Sequence, residues 1–301
     1  MLSVASIDPP VLPEITHRVP STDGVTLGLY DWGGDGPPLL ICHATGMHAH
    51  TYLPLATRLR NRYHCYGLDA RSQGSSTAPR SGNHGWNGIA DDAAAALDYL
   101  GLSGRGDVHG IGHSQGGYTV VSGERRRPGT FAAIFCFEPV IIPPTPDSRL
   151  ADPNQPSLVT AAAKRRAVFS SREAAYDNYR AKPPFAGIDD DALRCYVHWG
   201  FEDRVDGTVT LRCRPENEAD LFRGSLVGSD LWDDLGSIRC PVTVAVSEFT
   251  GAVFTENAPR VANLLPKGRL IHCLGRTHFG LLEGIDEMAE IIVQSFATAH
   301  A

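Results

Sequence analysis

From Leu39 onward the chain alternates short, uninterrupted apolar runs with longer segments of helical spacing, and this alternation restricts the fold more than any other feature. Leu39-Leu40-Ile41-Cys42 has no polar residue on either parity, as a strand buried on both faces requires. Residues 52–59 then read as helix, 63–68 as strand, 89–100 as an alanine-rich helix, 107–111 as strand, 115–127 as helix and 131–137 as strand. Strands that alternate with helices pair in parallel through right-handed crossovers, so the expected class is α/β, a mostly parallel central sheet flanked by helices. Ahead of this unit, residues 15–19 and 25–30 are β-rich and joined by Ser21-Thr22-Asp23-Gly24, whose Asp-Gly pair signals a hairpin and hence an antiparallel edge.

The alternation stops between about residues 143 and 236. That region offers amphipathic stretches at 161–168, 172–179, 191–199 and 215–221 in place of buried strands. Pro143-Pro144-Thr145-Pro146 and Pro183-Pro184 punctuate it and oppose continuous helix. Strand and helix resume at 242–246, 256–265, 270–273 and 286–296. A chain of 301 residues suits one large domain with an insertion. The expected organisation is a flexible tail over 1–14, an α/β core over 15–142 and 237–301, and a helical cap over 143–236.

Charge narrows the partners. A formal net charge of −7 argues against a nucleic-acid partner, which normally calls for a basic excess. The short basic runs Arg125-Arg126-Arg127 and Lys164-Arg165-Arg166 read as solvated helix faces. The first twenty residues hold Pro9, Pro10, Pro13 and Pro20 and lack the charged start and apolar run of a signal peptide. Nothing later approaches the roughly eighteen apolar residues of a membrane helix. A cytoplasmic protein without a membrane partner is expected, with a homodimer left open. The seven cysteines are scattered, odd in number and free of CxxC pairs, so they are read as small buried hydrophobes, not as disulfides or zinc ligands. His43, His48 and His50 lie close in sequence, yet no neighbouring Cys, Asp or Glu completes a ligand set. No metal or cofactor is expected.

The sharpest motif is Gly112-His113-Ser114-Gln115-Gly116, a G-x-S-x-G string between a predicted strand and a predicted helix. A serine that must present its hydroxyl from a tight strand-to-helix turn occupies strained backbone, and glycines keep that turn free of clashes. The helix beyond it directs backbone N–H groups toward a developing oxyanion. In a chain with 31 glycines the bare string is only suggestive, and its position after the third parallel strand gives it weight.

With these pieces in place the chain resembles the α/β-hydrolase superfamily over essentially its whole length beyond the tail. His43-Ala44-Thr45-Gly46 is similar to the family's His-Gly oxyanion loop, with Ala44 for the usual glycine. Asp69-Ala70-Arg71-Ser72-Gln73-Gly74-Ser75-Ser76 resembles its Asp-x-Arg-Gly-x-Gly-x-Ser turn, and Thr277-His278-Phe279 falls where the catalytic histidine does. The resemblance implies Ser114 as nucleophile, His278 as general base and acid, and the backbone N–H groups of Thr45 and Gln115 as oxyanion donors. The Thr45 hydroxyl is either a third donor or purely structural.

The acid departs from the commonest pattern. Where most members place an aspartate, the stretch Ser247-Glu248-Phe249-Thr250-Gly251 offers a threonine, which cannot hold an imidazolium by charge. Glu138, just past the apolar run 131–137, is the better carboxylate, at the strand end used by certain haloalkane dehalogenases and zearalenone-type lactonases; Glu248 is the alternative. A serine nucleophile excludes the alkyl-enzyme ester of aspartate-bearing relatives. The resemblance therefore implies a serine hydrolase of a carboxylic ester or lactone, acting on a hydrophobic small molecule. Carbon–carbon bond hydrolysis, acyl transfer to another acceptor, or a catalytically silent binding protein are the alternatives. Phe185, Tyr196, Trp199 and Phe201 either line an apolar pocket or bind the cap to the core.

Overall fold

A computed structural model of the protein describes residues 8–143, 157–225 and 230–299. The N-terminal hairpin is β1 (Ile15–Pro20) and β2 (Thr26–Gly33), paired antiparallel through a turn in which Asp23 and Gly24 both take positive φ. The core continues with β3 (Pro38–Cys42), α1 (Leu53–Leu59), β4 (His64–Leu68), α2 (Trp86–Tyr99), β5 (Val108–His113), α3 (Gln115–Arg126) and β6 (Phe131–Phe137). After an insertion it closes with β10 (Val242–Phe249), α10 (Ala252–Leu264), β11 (Gly268–Thr277) and α11 (Ile285–Thr298). The eight core strands form one sheet in the order β1-β2-β4-β3-β5-β6-β10-β11. Every neighbour from β4 to β11 is parallel, and β2 meets β4 antiparallel.

The unbroken apolar run in β3 is explained by burial on both faces. Leu39 and Ile41 join a core that includes Leu55 and Leu59 of α1 and Met288 and Ile292 of α11. Leu40 and Cys42, on the other parity, join Ile89 and Leu97 of α2, Val120 of α3 and Val261 of α10. Each such side chain removed from water contributes about 1.5–3 kcal/mol, which fixes the strand in the middle of the sheet. All seven cysteines are buried thiols.

The insertion lies between β6 and β10 and contains α4 (Leu158–Ala163), β7 (Val168–Phe169), α5 (Arg172–Arg180), α6 (Pro183–Ala186), α7 (Asp190–Gly200), β8 (Phe201–Asp203), β9 (Val209–Leu211), α8 (Pro215–Ser225) and α9 (Leu231–Asp234). It is not purely helical: β7, β9 and β8 form a small antiparallel sheet. Strands of two or three residues are too short to carry a period in the sequence. Helix α7 packs on residues 49–52 and on α1, so Tyr196, Val197 and Phe201 continue the same apolar core.

Two expectations need correction. The segment up to residue 14 is not free throughout, because Glu14 accepts hydrogen bonds from Trp32 Nε1 (2.9 Å) and His50 Nε2 (2.6 Å), and Leu12 packs on the core. Arg165 is not on a solvated face. Its guanidinium is largely enclosed by the insertion, paired with Glu218 and donating to the hydroxyls of Tyr179 (2.8 Å) and Tyr196 (2.5 Å). Arg125, Arg126 and Arg127 do lie at the surface, paired with Asp234, Asp91 and Asp98. Among the described residues no helix is long and apolar enough to cross a membrane.

Candidate active site

Strand β5 ends at His113 and α3 begins at Gln115, leaving Ser114 as the single residue of the bend with φ 54° and ψ −113°. Such backbone is costly for any residue with a Cβ and persists only where surrounding contacts impose it. Here they do. The Ser114 N–H donates to Phe137 O (2.9 Å), and its carbonyl accepts from the N–H groups of Val140 (3.1 Å) and Gly117 (3.0 Å). The bend is also too tight for side chains on either side. A Cβ on Gly112 would lie 2.3 Å from Gly116 O, and one on Gly116 would lie 2.0 Å from Cys42 O.

Strand β6 delivers Glu138 on the next sharp bend. Only four described residues other than glycine have positive φ, and Glu138 (44°) is one beside Ser114. Its side chain is fully buried, and four donors converge on it. Oε1 accepts from Ser247 N (2.9 Å) and Ser247 Oγ (2.5 Å); Oε2 accepts from Thr250 Oγ1 (2.9 Å) and His278 Nδ1 (2.5 Å). Burial pushes the carboxyl up, but the hydrogen bond and charge of His278 and the two Ser247 donors outweigh it and hold Glu138 below the usual carboxylate range. The structure thus brings Glu138 and His278 together, and it does not bring Glu248 to the imidazole. Glu248 is exposed, and its carboxylate accepts from Gly275 N (2.8 Å).

With Nδ1 donating to Glu138, His278 keeps Nε2 as an acceptor. The residue before Ser114 braces it. His113 Nε2 donates to His278 O (2.7 Å), so His113 Nδ1 accepts from Tyr52 Oη (2.6 Å), whose oxygen in turn accepts from Ala44 N–H (3.2 Å). Burial holds His113 far below its usual pKa, which keeps it neutral as one donating and one accepting nitrogen require. The rings of His113 and His278 are 4.9 Å apart, and Phe254 stacks on His278 at 4.7 Å.

Thr45 and Gln115, the residues the resemblance implies as oxyanion donors, lie next to each other. Gln115 opens α3, so its N–H has no partner within the helix. The Thr45 hydroxyl donates to Gln115 Oε1 (3.2 Å), which accounts for it structurally. Of the four aromatic residues in the insertion, Phe201 packs on Phe169 and Tyr179, Trp199 stacks on His50, and Tyr196 bonds Arg165. Phe185 alone reaches Phe279, 5.5 Å away and next to His278. A cleft of about 670 Å3 beside Arg71, His84 and Trp86 includes neither Ser114 nor His278, so it is the chemistry of the side chains that locates the site.

Sequence reasoning passed over Tyr52, Gln73, His113 and Ser247. His113 and Gln73 sit inside motifs already singled out, as polar residues at positions those motifs leave free. Tyr52 and Ser247 carry no local signal, because their partners are far off in the chain.

A strained serine at a helix mouth and a histidine paired to a buried carboxylate, on a mostly parallel eight-stranded sheet, define a hydrolase of α/β architecture. The match of residues 39–291 to the model of the alpha/beta hydrolase family agrees, and the chain belongs to that family. It is similar to 2-(acetamidomethylene)succinate hydrolase of Mesorhizobium japonicum, 26% identical over 82% of this chain and 83% of that one. It also resembles the bifunctional esterase/perhydrolase DCH of Acinetobacter calcoaceticus, 25% identical over 86% of this chain and 92% of the relative. Among solved structures, that of E-2-(acetamidomethylene)succinate hydrolase superposes with a TM-score of 0.76 at 22% identity, over 95% of this chain and all of the other.

Proposed function

We propose that the protein is a serine hydrolase that opens a carboxylic ester or lactone of a hydrophobic small molecule through an acyl-enzyme on Ser114. The observation that carries this reading is the His278–Glu138 pair beside the strained Ser114 bend. In this mechanism Nε2 of His278 takes the Ser114 proton as Oγ adds to the acyl carbon. The backbone N–H groups of Thr45 and Gln115 hold the resulting oxyanion. His278 then protonates the leaving alcohol, and water repeats the sequence to release the acid. Glu138 stays ionised throughout and keeps the imidazole in the tautomer that accepts at Nε2.

The insertion acts as a cap. Phe185, with Phe279 and Phe254 around His278, supplies an aromatic wall that favours an apolar group on the substrate. A second reading keeps the same three residues but cleaves a bond other than an ester; the similarity to a hydrolase named for an acetamido-bearing succinate favours it.

Incubation with an activated aryl ester and with a fluorophosphonate tests the proposal. Turnover and stoichiometric labelling of Ser114 are expected, both lost in Ser114→Ala. A folded protein that neither turns over ester nor takes up label would be a binding protein instead.

A further inference from the structure

The turn 69–76 grips the loop 43–49 at three points. Ala70 N–H donates to His43 Nε2 (3.0 Å), Ala49 N–H to Asp69 Oδ1 (2.8 Å), and Gly46 N–H to Gln73 Oε1 (2.6 Å). The third contact goes further than the other two, because Gln73 Nε2 also donates to Gln115 Oε1 (3.0 Å). Gln73 and Gln115 are both fully buried. One amide side chain therefore joins the residue after Thr45 to the first residue of the nucleophile helix.

The donor and acceptor order in this chain is fixed from one end. A backbone N–H can only donate, so the Gln73 atom facing Gly46 must be its oxygen, and its nitrogen must face Gln115. The Gln115 atom that receives it must then be an oxygen. That leaves the Thr45 hydroxyl to donate as well, and Gln115 Nε2 is buried with no hydrogen-bond partner among the described residues. A buried donor without a partner is unfavourable, so the arrangement is held against a local penalty.

We infer that Gln73 is the positioning residue of the oxyanion hole: by tying Gly46 to Gln115 it sets the spacing between the Thr45 and Gln115 backbone donors. The inference rests on the reading of Ser114 as the acylated nucleophile. An oxyanion hole acts only when its donors stand about 2.7–3.1 Å from the oxyanion, and those donors belong to two segments that share no secondary structure. Loosening one segment relative to the other weakens the tetrahedral intermediate more than it weakens bound substrate. The effect belongs in kcat and not in KM.

The test replaces Gln73 by Met, which keeps length and bulk but neither donates nor accepts as an amide does. Steady-state kinetics on an activated ester are combined with binding of a trifluoromethyl ketone, whose carbonyl carbon takes the Ser114 oxygen while its own oxygen becomes the bound oxyanion and His278 receives the proton. For Gln73→Met we expect kcat to fall about 10- to 100-fold with KM within threefold. Ketone affinity should fall by the same factor as kcat/KM, and affinity for the carboxylic-acid product should stay unchanged. Gln115→Met, which leaves its backbone N–H in place, should cost a similar factor, and the double variant no more than either alone. A kcat within threefold of the parent overturns the inference, as does a parallel loss of ketone and product binding, which marks a structural role. Where Gln73→Met does not fold, Gln115→Met read by the same split decides. A parent protein that takes no fluorophosphonate label overturns the underlying reading of Ser114 instead.

Discussion

The turn after β6 and the end of β10 run side by side, joined by the hydrogen bond from Glu138 N–H to Ala245 O (2.8 Å), and each carries a glutamate. Their environments differ completely. Glu138 is sealed from water with four donors on its two oxygens, whereas Glu248 is exposed and touches one backbone N–H. The parity of β10 accounts for half of this, since successive side chains of a strand point to opposite faces. Ser247 points inward to Glu138, so Glu248 points out. The bend at Glu138 accounts for the other half, because its positive φ turns the side chain toward β10. Thr250, at the position where an aspartate is commonest in the family, has become a hydrogen-bond donor to the carboxylate that replaces it. In the proposed mechanism the acid stands after β6, and Thr250 at the end of β10 supports it.

The strongest way to break this contrast is Glu138→Gln. The amide keeps the size of the side chain but removes the charge that stabilises the imidazolium and presents N–H groups where acceptors are needed. We expect kcat to fall about 10^3- to 10^4-fold with KM nearly unchanged. Circular dichroism and thermal melting check that the fold persists. A loss under tenfold would remove Glu138 from the mechanism.

A smaller effect in the opposite direction sharpens the comparison. Thr250 Oγ1 lies 2.9 Å from the same Glu138 oxygen that His278 Nδ1 meets at 2.5 Å, so a carboxylate on residue 250 starts within a short shift of the imidazole. In the Glu138→Gln background, Thr250→Asp should recover about 10- to 100-fold of the lost turnover by restoring a negative charge next to Nδ1. No recovery in a folded double variant would mean that the β10 end no longer has a geometry from which an acid can act.

The same contrast shows what a sequence discloses. Runs 39–42 and 131–137 coincide with β3 and β6 because burial on both faces leaves only apolar residues, a signal each strand carries within itself. The Ser114 bend is equally local, since two glycines and a serine announce it before any partner is known. The proximity of Glu138 to His278 spans 140 positions and came into view only through resemblance to a family pattern. Arg165 shows the limit. As one of three consecutive basic residues it reads as surface, and the two tyrosines and the glutamate that enclose it lie 14, 31 and 53 positions away. Gln73 is hidden for the same reason, because an amide that bridges a loop and a distant helix start has no periodicity to betray it.

The smallest predicted effect concerns the other glutamate. Glu248 is solvated, so its charge is screened and its one contact, to Gly275 N–H, survives in the amide because the side-chain oxygen remains an acceptor. Glu248→Gln should therefore change kcat and kcat/KM by less than threefold. The value of so small a number lies in its pairing with Glu138→Gln. The two substitutions remove the same charge from adjacent strand ends, one buried against His278 and one screened by water, so an oriented acid at Glu138 predicts one large loss and one negligible. A loss of a hundredfold or more for Glu248→Gln would show that His278 is served from β10 during turnover, and that the pairing with Glu138 belongs to the resting protein alone.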